Sequence, residues 1–170
     1  TGPVTVCANL PYYITSPILM KLLEEKLPIA RITAMVQKEA AERITARPGT
    51  RQSGAISYAI HYYTQPKLAF TVKPGSFYPP PKVTSAVINL ELRQQPPLAA
   101  QPERERRLFR LVRAAFGQRR KTLANAAAAG LSLPKEQLLA GMEKTNLPPT
   151  ARPEQLTLED YIRLEQVLWP

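Results

Sequence analysis

An α/β domain followed by a small all-helical one is the fold class this sequence predicts. Three observations carry it. Strand-like and helix-like apolar runs alternate over the first 45 residues, two alternating segments flank a proline-rich stretch, and beyond a second proline-rich stretch the periodicity is wholly helical. VTVCA (residues 4–8) is apolar and rich in β-branched residues, as a short buried strand is, which puts Cys7 in the core. Ser16 before Pro17 reads as a helix start, with the hydroxyl as cap and proline in the first turn. Leu19, Leu22, Leu23 and Leu27 then recur at helical spacing until Pro28. ITAMVQ (residues 32–37) is a second buried strand, and residues 38–45 a second helix. This rhythm predicts a parallel sheet with crossover helices. Residues 47–54 read as a polar loop and 55–63 as a further helix. KLAFTVKP (67–74) and SAVINLEL (85–92) alternate as strands do, and the prolines between them exclude helix. A loop that long and rigid is a candidate functional loop.

The predicted boundaries are an α/β portion over 1–93, a linker over 94–102 and a helical domain over 103–170. Leu108, Leu111, Val112, Ala115 and Phe116 form an apolar stripe, and Arg106, Arg110 and Arg113 a basic one at i, i+4, i+7. Residues 124–129 continue as helix with Gly130 closing it, Leu138 and Leu139 mark another helix, and 157–168 a last one capped by Thr157. With its own apolar stripes, the helical part is expected to fold by itself.

Lysine and arginine outnumber aspartate and glutamate by 23 to 13, a net charge of +10. The excess is concentrated: residues 101–128 hold eight basic and two acidic residues, whereas 129–170 hold four basic and six acidic. A concentrated basic segment favours a polyanionic partner, nucleic acid being the commonest; a solvated helix face is the plainer alternative. One cysteine and one histidine, His61, cannot build the usual zinc site and leave no disulfide framework, so no metal is expected and a reducing, cytoplasmic setting is. No apolar run approaches a membrane span, and no signal peptide is evident. Thr1 rather than methionine opens the sequence, which suggests a processed chain or a fragment.

The stretch CANLPYYITS (residues 7–16) asks for more than a turn, which Asn9 and Pro11 alone would make. In open α/β sheets, working groups stand at the carboxyl ends of strands. An amino group on a flat aromatic ring such as adenine is a poor nucleophile, because its lone pair is delocalised. Two acceptors on its hydrogens favour a pyramidal nitrogen, and the Asn9 side-chain oxygen with the Leu10 carbonyl can supply them. Pro11 restricts the Leu10 backbone. Tyr12 can stack on the base, an interaction of roughly 1–3 kcal/mol in nucleic-acid sites. Tyr13 reads as a packing residue, and Glu39 as a helix cap or a partner of Lys38.

NLPYYIT resembles the catalytic motif of methyltransferases that act on the exocyclic nitrogen of adenine. MVQKEAAERI (35–44), FYPPPKVTSAV (77–87), FGQRRKTLANA (116–126) and ARPEQLTLEDY (151–161), in that order, resemble the small-subunit rRNA adenine N6,N6-dimethyltransferases, the KsgA-like family. The resemblance implies a Rossmann-like, S-adenosylmethionine-dependent methyltransferase fold followed by a helical RNA-binding domain. It implies as well that the chain is its carboxyl-terminal portion, acting on two adjacent adenosines near the 3′ end of small-subunit (16S) rRNA during ribosome biogenesis. Asn9, Leu10, Pro11, Tyr12 and Phe77 would be the catalytic residues, with Phe77 closing the other face of a base that has left its stack. Asn9, Leu10 and Pro11 would also touch the reactive end of S-adenosylmethionine. Lys82, mounted after three prolines, and Arg106, Arg110, Arg113, Arg119, Arg120 and Lys121 would meet RNA phosphates, unless one of the last three pairs with Glu103 or Glu105.

The implied partner is small-subunit rRNA in the pre-30S particle, met by a cytoplasmic monomer with no membrane association. The glycine-rich loop and ribose-binding acids of the family would lie before Asn9. The methyltransferase fold is therefore expected to be incomplete at its N-terminus and the chain inactive alone. Two other readings stay open: a large-subunit rRNA adenine methyltransferase of the antibiotic-resistance type, and a non-catalytic RNA-binding or ribosome-assembly factor on the same fold.

Overall fold

The computed structural model describes residues 2–25 and 27–170. The chain divides into two units. The first runs to Ala46 and resumes over residues 59–96; the second comprises residues 47–58 and 97–170.

The first unit is built on a four-stranded sheet of order β1-β2-β4-β3, with β1 (Val4–Asn9), β2 (Ile29–Gln37), β3 (Thr64–Val72) and β4 (Ser85–Leu92). Helix α1 (Thr15–Glu24) links β1 to β2 as a parallel crossover, while β4 runs antiparallel to both β2 and β3. The parallel sheet read from the rhythm therefore extends to one pair only. A chain leaving β3 through the loop at 73–84 returns directly alongside, which forces antiparallel pairing. Ile32, Ala34 and Val36 of β2, with Ala86, Ile88 and Leu90 of β4, are buried at alternate positions, the pattern of central strands with one face in the core. Leu19 and Leu23 of α1 and Ala41 and Ile44 of α2 (Lys38–Thr45) are also buried. Strand β3 lies at one edge, where Pro66 is tolerated and a bulge falls between Leu68 and Phe70.

Two local expectations fail here. Helix α1 starts at Thr15 after Ile14, so Ser16 lies within its first turn and does not cap it; the Thr15 hydroxyl instead donates back to the Pro11 carbonyl at 3.2 Å. Cys7 is exposed, not core, because β1 is the other edge of the sheet.

The second unit contains α4 (Pro102–Phe116), α5 (Leu123–Leu131), α6 (Lys135–Lys144) and α7 (Leu158–Leu168), and also the start of α3 (Ala55–Tyr63). Pro102 occupies the first turn of α4, and Leu108, Leu111, Val112 and Ala115 are buried along the expected stripe, joined by Phe109. Gly130 does not close α5. Ser132, in the left-handed region at φ 55°, does. Gly130 lies where α5 meets α4: a Cβ there would stand 2.7 Å from the Ala114 Cβ and 2.9 Å from its Cα, so the residue is glycine for close approach. Thr157 caps α7 as expected, in a reciprocal box with Asp160.

The predicted boundaries need one correction. Residues 47–58, placed by sequence in the α/β portion, belong with the helices. The Tyr58 ring packs against Phe116 and Tyr161 with centroids 5.3 and 5.1 Å apart, and its hydroxyl donates to the Leu156 carbonyl at 2.5 Å. Gly49, at φ +89°, donates its N–H to the same hydroxyl at 3.3 Å. Burial pushes the Tyr58 hydroxyl pKa up, against the hydrogen bonds it receives, and pushes Tyr161 well above the ordinary tyrosine range.

Candidate active site

Asn9 is the last residue of β1, opposite Met35 of β2. Past it, the Leu10 N–H donates to the Met35 carbonyl at 3.1 Å, the last tie to the sheet before Pro11 turns the chain away. The Pro11 carbonyl accepts from the Ile14 N–H and from the Thr15 hydroxyl, both at 3.2 Å. The segment is thus pinned at both ends, with Leu10 buried beneath it and Asn9 exposed above. Among the described residues the Asn9 side chain has no hydrogen-bond partner, so its amide is available to a ligand.

Tyr12 is half-buried, and its hydroxyl makes a 2.5 Å hydrogen bond with the hydroxyl of Ser85 at the start of β4. Ser85 is buried, so this bond fixes the direction of the ring. Sequence reading missed Ser85. It sits 73 residues from Tyr12, and no local pattern announces a partner at that distance.

The loop at 73–84 supplies the facing wall. A 3₁₀ turn at Pro74–Ser76 ends with the Phe77 N–H donating to the Pro74 carbonyl at 3.2 Å, and the chain then bends over Phe77–Pro79, with a cis peptide bond before Pro79, ahead of Pro80 and Pro81. Asn9, Leu10, Pro11 and Tyr12 on one side, with Phe77, Tyr78, Pro79 and Pro81 on the other, line an open groove of about 460 Å³. The structure thus brings together all five of the residues singled out as catalytic. No lining residue carries a charge, so the groove suits a flat neutral ring with polar edges better than a phosphate. Tyr13, expected to pack, is 86% exposed, because the turn at Tyr12–Ile14 directs it away from the core. Glu39 does not pair with Lys38, whose partner is Glu42 at 3.7 Å.

The remaining sequence candidates are placed differently. Lys82 is exposed and outside the groove wall. Arg106, Arg110 and Arg113 are exposed on α4. Arg106 pairs with Glu103 at 2.8 Å, a surface interaction of about 0–1 kcal/mol. Arg107 is the second partner of Glu103, at 3.7 Å, so that carboxylate is engaged within α4 and not by residues 119–121. Arg110 and Arg113 line a second groove of about 390 Å³ with Ala114, Gly117, Gln118, Ala126 and Gly130. The Arg119 guanidinium donates to the Ser53 carbonyl at 3.4 Å, while Arg120 and Lys121 are exposed in the turn between α4 and α5.

The ribosomal RNA adenine dimethylase family profile matches residues 2–168. The ribosomal RNA small subunit methyltransferase A of Alkaliphilus oremlandii is 48% identical over 159 residues, covering 93% of this chain and 55% of that protein. Its namesake from Lachnoclostridium phytofermentans is 46% identical over 168 residues, covering 98% and 57%. The crystal structure of a dimethyladenosine transferase from Plasmodium falciparum superposes with a TM-score of 0.76 at 23% identity, covering 94% of this chain and 64% of that one. That of the 23S rRNA methyltransferase ErmE gives 0.71 at 23%, covering 98% and 66%. The chain belongs to the ribosomal RNA adenine dimethylase family, and its first unit has a Rossmann-like methyltransferase fold. It spans a little over half the length of the curated relatives it matches.

Proposed function

We propose that the chain serves a small-subunit rRNA adenine N6,N6-dimethyltransferase, which methylates two adjacent adenosines near the 3′ end of the 16S rRNA in the cytoplasm, as a monomer on the pre-30S particle. The observation that carries this reading is the uncharged groove, with an unpartnered Asn9 amide at the carboxyl end of a strand and the aromatic residues Tyr12 and Phe77 on its two sides. Family membership and relatives named as small-subunit enzymes at 46–48% identity support it. They also favour it over the large-subunit reading, since the likeness to ErmE speaks to fold alone.

A base entering the groove exchanges its stack in RNA for Tyr12 and Phe77. Its exocyclic N–H groups donate to the Asn9 side-chain oxygen and the Leu10 carbonyl, which holds the nitrogen with its lone pair free of the ring. Positioning supplies the rate enhancement, and no general base is needed. Asn9, Leu10 and Pro11 fit the reactive end of S-adenosylmethionine, since they are exposed or lie at the groove and the Asn9 amide has no internal partner among the described residues. When bound, that cofactor supplies an electrophilic methyl group.

The test is Asn9→Ala in a protein extended to the length of its curated relatives. Methyl transfer to small-subunit RNA is expected to fall by about 10²–10³, the usual effect of removing one positioned polar group, while RNA affinity stays near that of the wild type. Undiminished turnover would remove Asn9 from the chemistry and the groove from the active site.

A further inference from the structure

We propose that Tyr78 is a second stacking platform, which takes the nucleobase next to the adenine held in the groove. The inference rests on the function just proposed and extends its substrate recognition by one nucleotide.

The three aromatic residues of the groove are held in different ways. Tyr12 is anchored by its hydroxyl to Ser85, and Phe77 is half-buried. Tyr78 lies on the groove wall yet is fully exposed, and among the described residues its ring and hydroxyl have no partner. A large ring standing in water adds nothing to folding, so packing does not explain it. Its mount is stiff: three prolines follow, and proline fixes φ, so little backbone freedom is lost when a ligand settles on the ring. Its surroundings suit a polyanion. Lys73 and Lys82 are the only charged residues between 73 and 84, and both are exposed.

The occupant follows from what happens to the RNA. When one base leaves a strand, its neighbour loses a stacking partner and presents a bare face to water. A ring at the mouth of the groove that admits the first base is placed to cover that face, and any base offers a π-face for the purpose. The proposed substrate makes this platform useful twice, because the neighbour of one target adenosine is the other. Tyr78 would keep the second base ordered while the first reacts.

The experiment uses the protein extended to the length of its curated relatives, with Tyr78→Ala and Tyr78→Phe. Pre-30S particles carrying three versions of the small-subunit RNA serve as substrate: with the target sequence intact, abasic on the 5′ side of the target, and abasic on the 3′ side. Tyr78→Ala is expected to raise KM for the intact RNA about fivefold to 150-fold, the range of one base–aromatic stack, with kcat little changed because the stack persists through the reaction. Tyr78→Phe should keep the wild-type KM. On one of the two abasic RNAs, wild type and Tyr78→Ala should become equal, since the base that Tyr78 covers is gone. An equal KM ratio on all three RNAs, or no effect on the intact one, would overturn the platform while leaving the groove chemistry standing. A wild type that methylates none of them would overturn the function reading and the platform with it.

Discussion

The groove of the first unit and the core of the second use the same residue type in opposite ways. At the groove Tyr78 is fully exposed and Tyr12 half-buried, with Tyr13 exposed beside it, and only Tyr12 bonds its hydroxyl to another side chain, whereas Tyr62 and Tyr63 of the same unit are buried. In the second, Tyr58 and Tyr161 are buried, with both hydroxyls donating to backbone carbonyls, Tyr161 to that of Pro153 at 3.1 Å. The same unit also holds a buried carboxylate: Glu165 accepts from the Arg104 guanidinium at 2.9 Å, and Arg104 is itself mostly covered. Tyrosine packed among buried rings and carbonyls stabilises; tyrosine on an open wall is left available to a ligand. The difference lies in what the hydroxyl and ring are already bonded to, and substitutions should therefore separate folding from activity.

The largest effect is expected at this buried ion pair. Arg104→Ala strands the Glu165 carboxylate in the core and should lower stability by about 3 kcal/mol, the low end for breaking a buried pair because Arg104 retains some exposure. Urea titration measures it, and a loss under about 1 kcal/mol would mean that water reaches Glu165. On the open wall the pattern should reverse. Tyr12→Ala and Phe77→Ala should each weaken capture of the base by about 1–3 kcal/mol, seen in KM with little change in melting beyond the roughly 1 kcal/mol that Tyr12→Ala loses with its bond to Ser85, and Phe77→Tyr should be mild. Tyr12→Phe, which loses only the bond to Ser85, should cost about 1 kcal/mol. If the alanine variants melt early and remain active, the rings are core residues and the contrast between the units collapses.

Smaller effects sharpen the comparison. Replacing Arg119, Arg120 and Lys121 together with alanine should reduce the log–log salt dependence of RNA binding by about 0.7–0.9 for each phosphate no longer neutralised; an unchanged slope with the fold intact would remove that turn from the interface. The mildest prediction concerns Asp160. Burial raises its carboxyl pKa, but hydrogen bonds from the side chain and backbone of Thr157 and from Arg163 outweigh this and leave it below the ordinary aspartate value. Its folded pKa being depressed, the contribution is present above the unfolded value and vanishes as pH falls through the folded one. Asp160→Asn should cost on the order of 1 kcal/mol at neutral pH, as the removal of a cap does, and the gap from wild type should close in acid melts below about pH 4.

The groove was legible because its chemistry is unusual locally. Asn9, Pro11 and Tyr12 fall close together at a strand end, and Phe77 stands before a run of prolines that admits no regular structure. Long-range partners were not legible. Ser85 reads as the first residue of a strand, and only the fold shows that it aims Tyr12. Local rules misled where tertiary position decides: an apolar strand reads as buried whether central or edge, and β1 is edge. Gly130 reads as a helix stop, though its lack of a side chain serves the approach of α4. Ser16 before Pro17 has the pattern of a cap, but Thr15 had already begun the helix by bonding back to Pro11.

The placement of Tyr58 has a consequence for modularity. The chain passes from one unit to the other three times, after Ala46, within α3 after Tyr58 and after Pro96. A gene fragment beginning at Pro97 would carry α4 to α7 but omit the ring that Phe116 and Tyr161 close around, along with the acceptor of the Gly49 amide. Such a fragment is a body with its keystone removed. Transplanting the helical unit onto another enzyme, by recombination or by design, requires an insertion in the host at one point and a fusion at another. A single crossover in the linker would deliver an unfinished core.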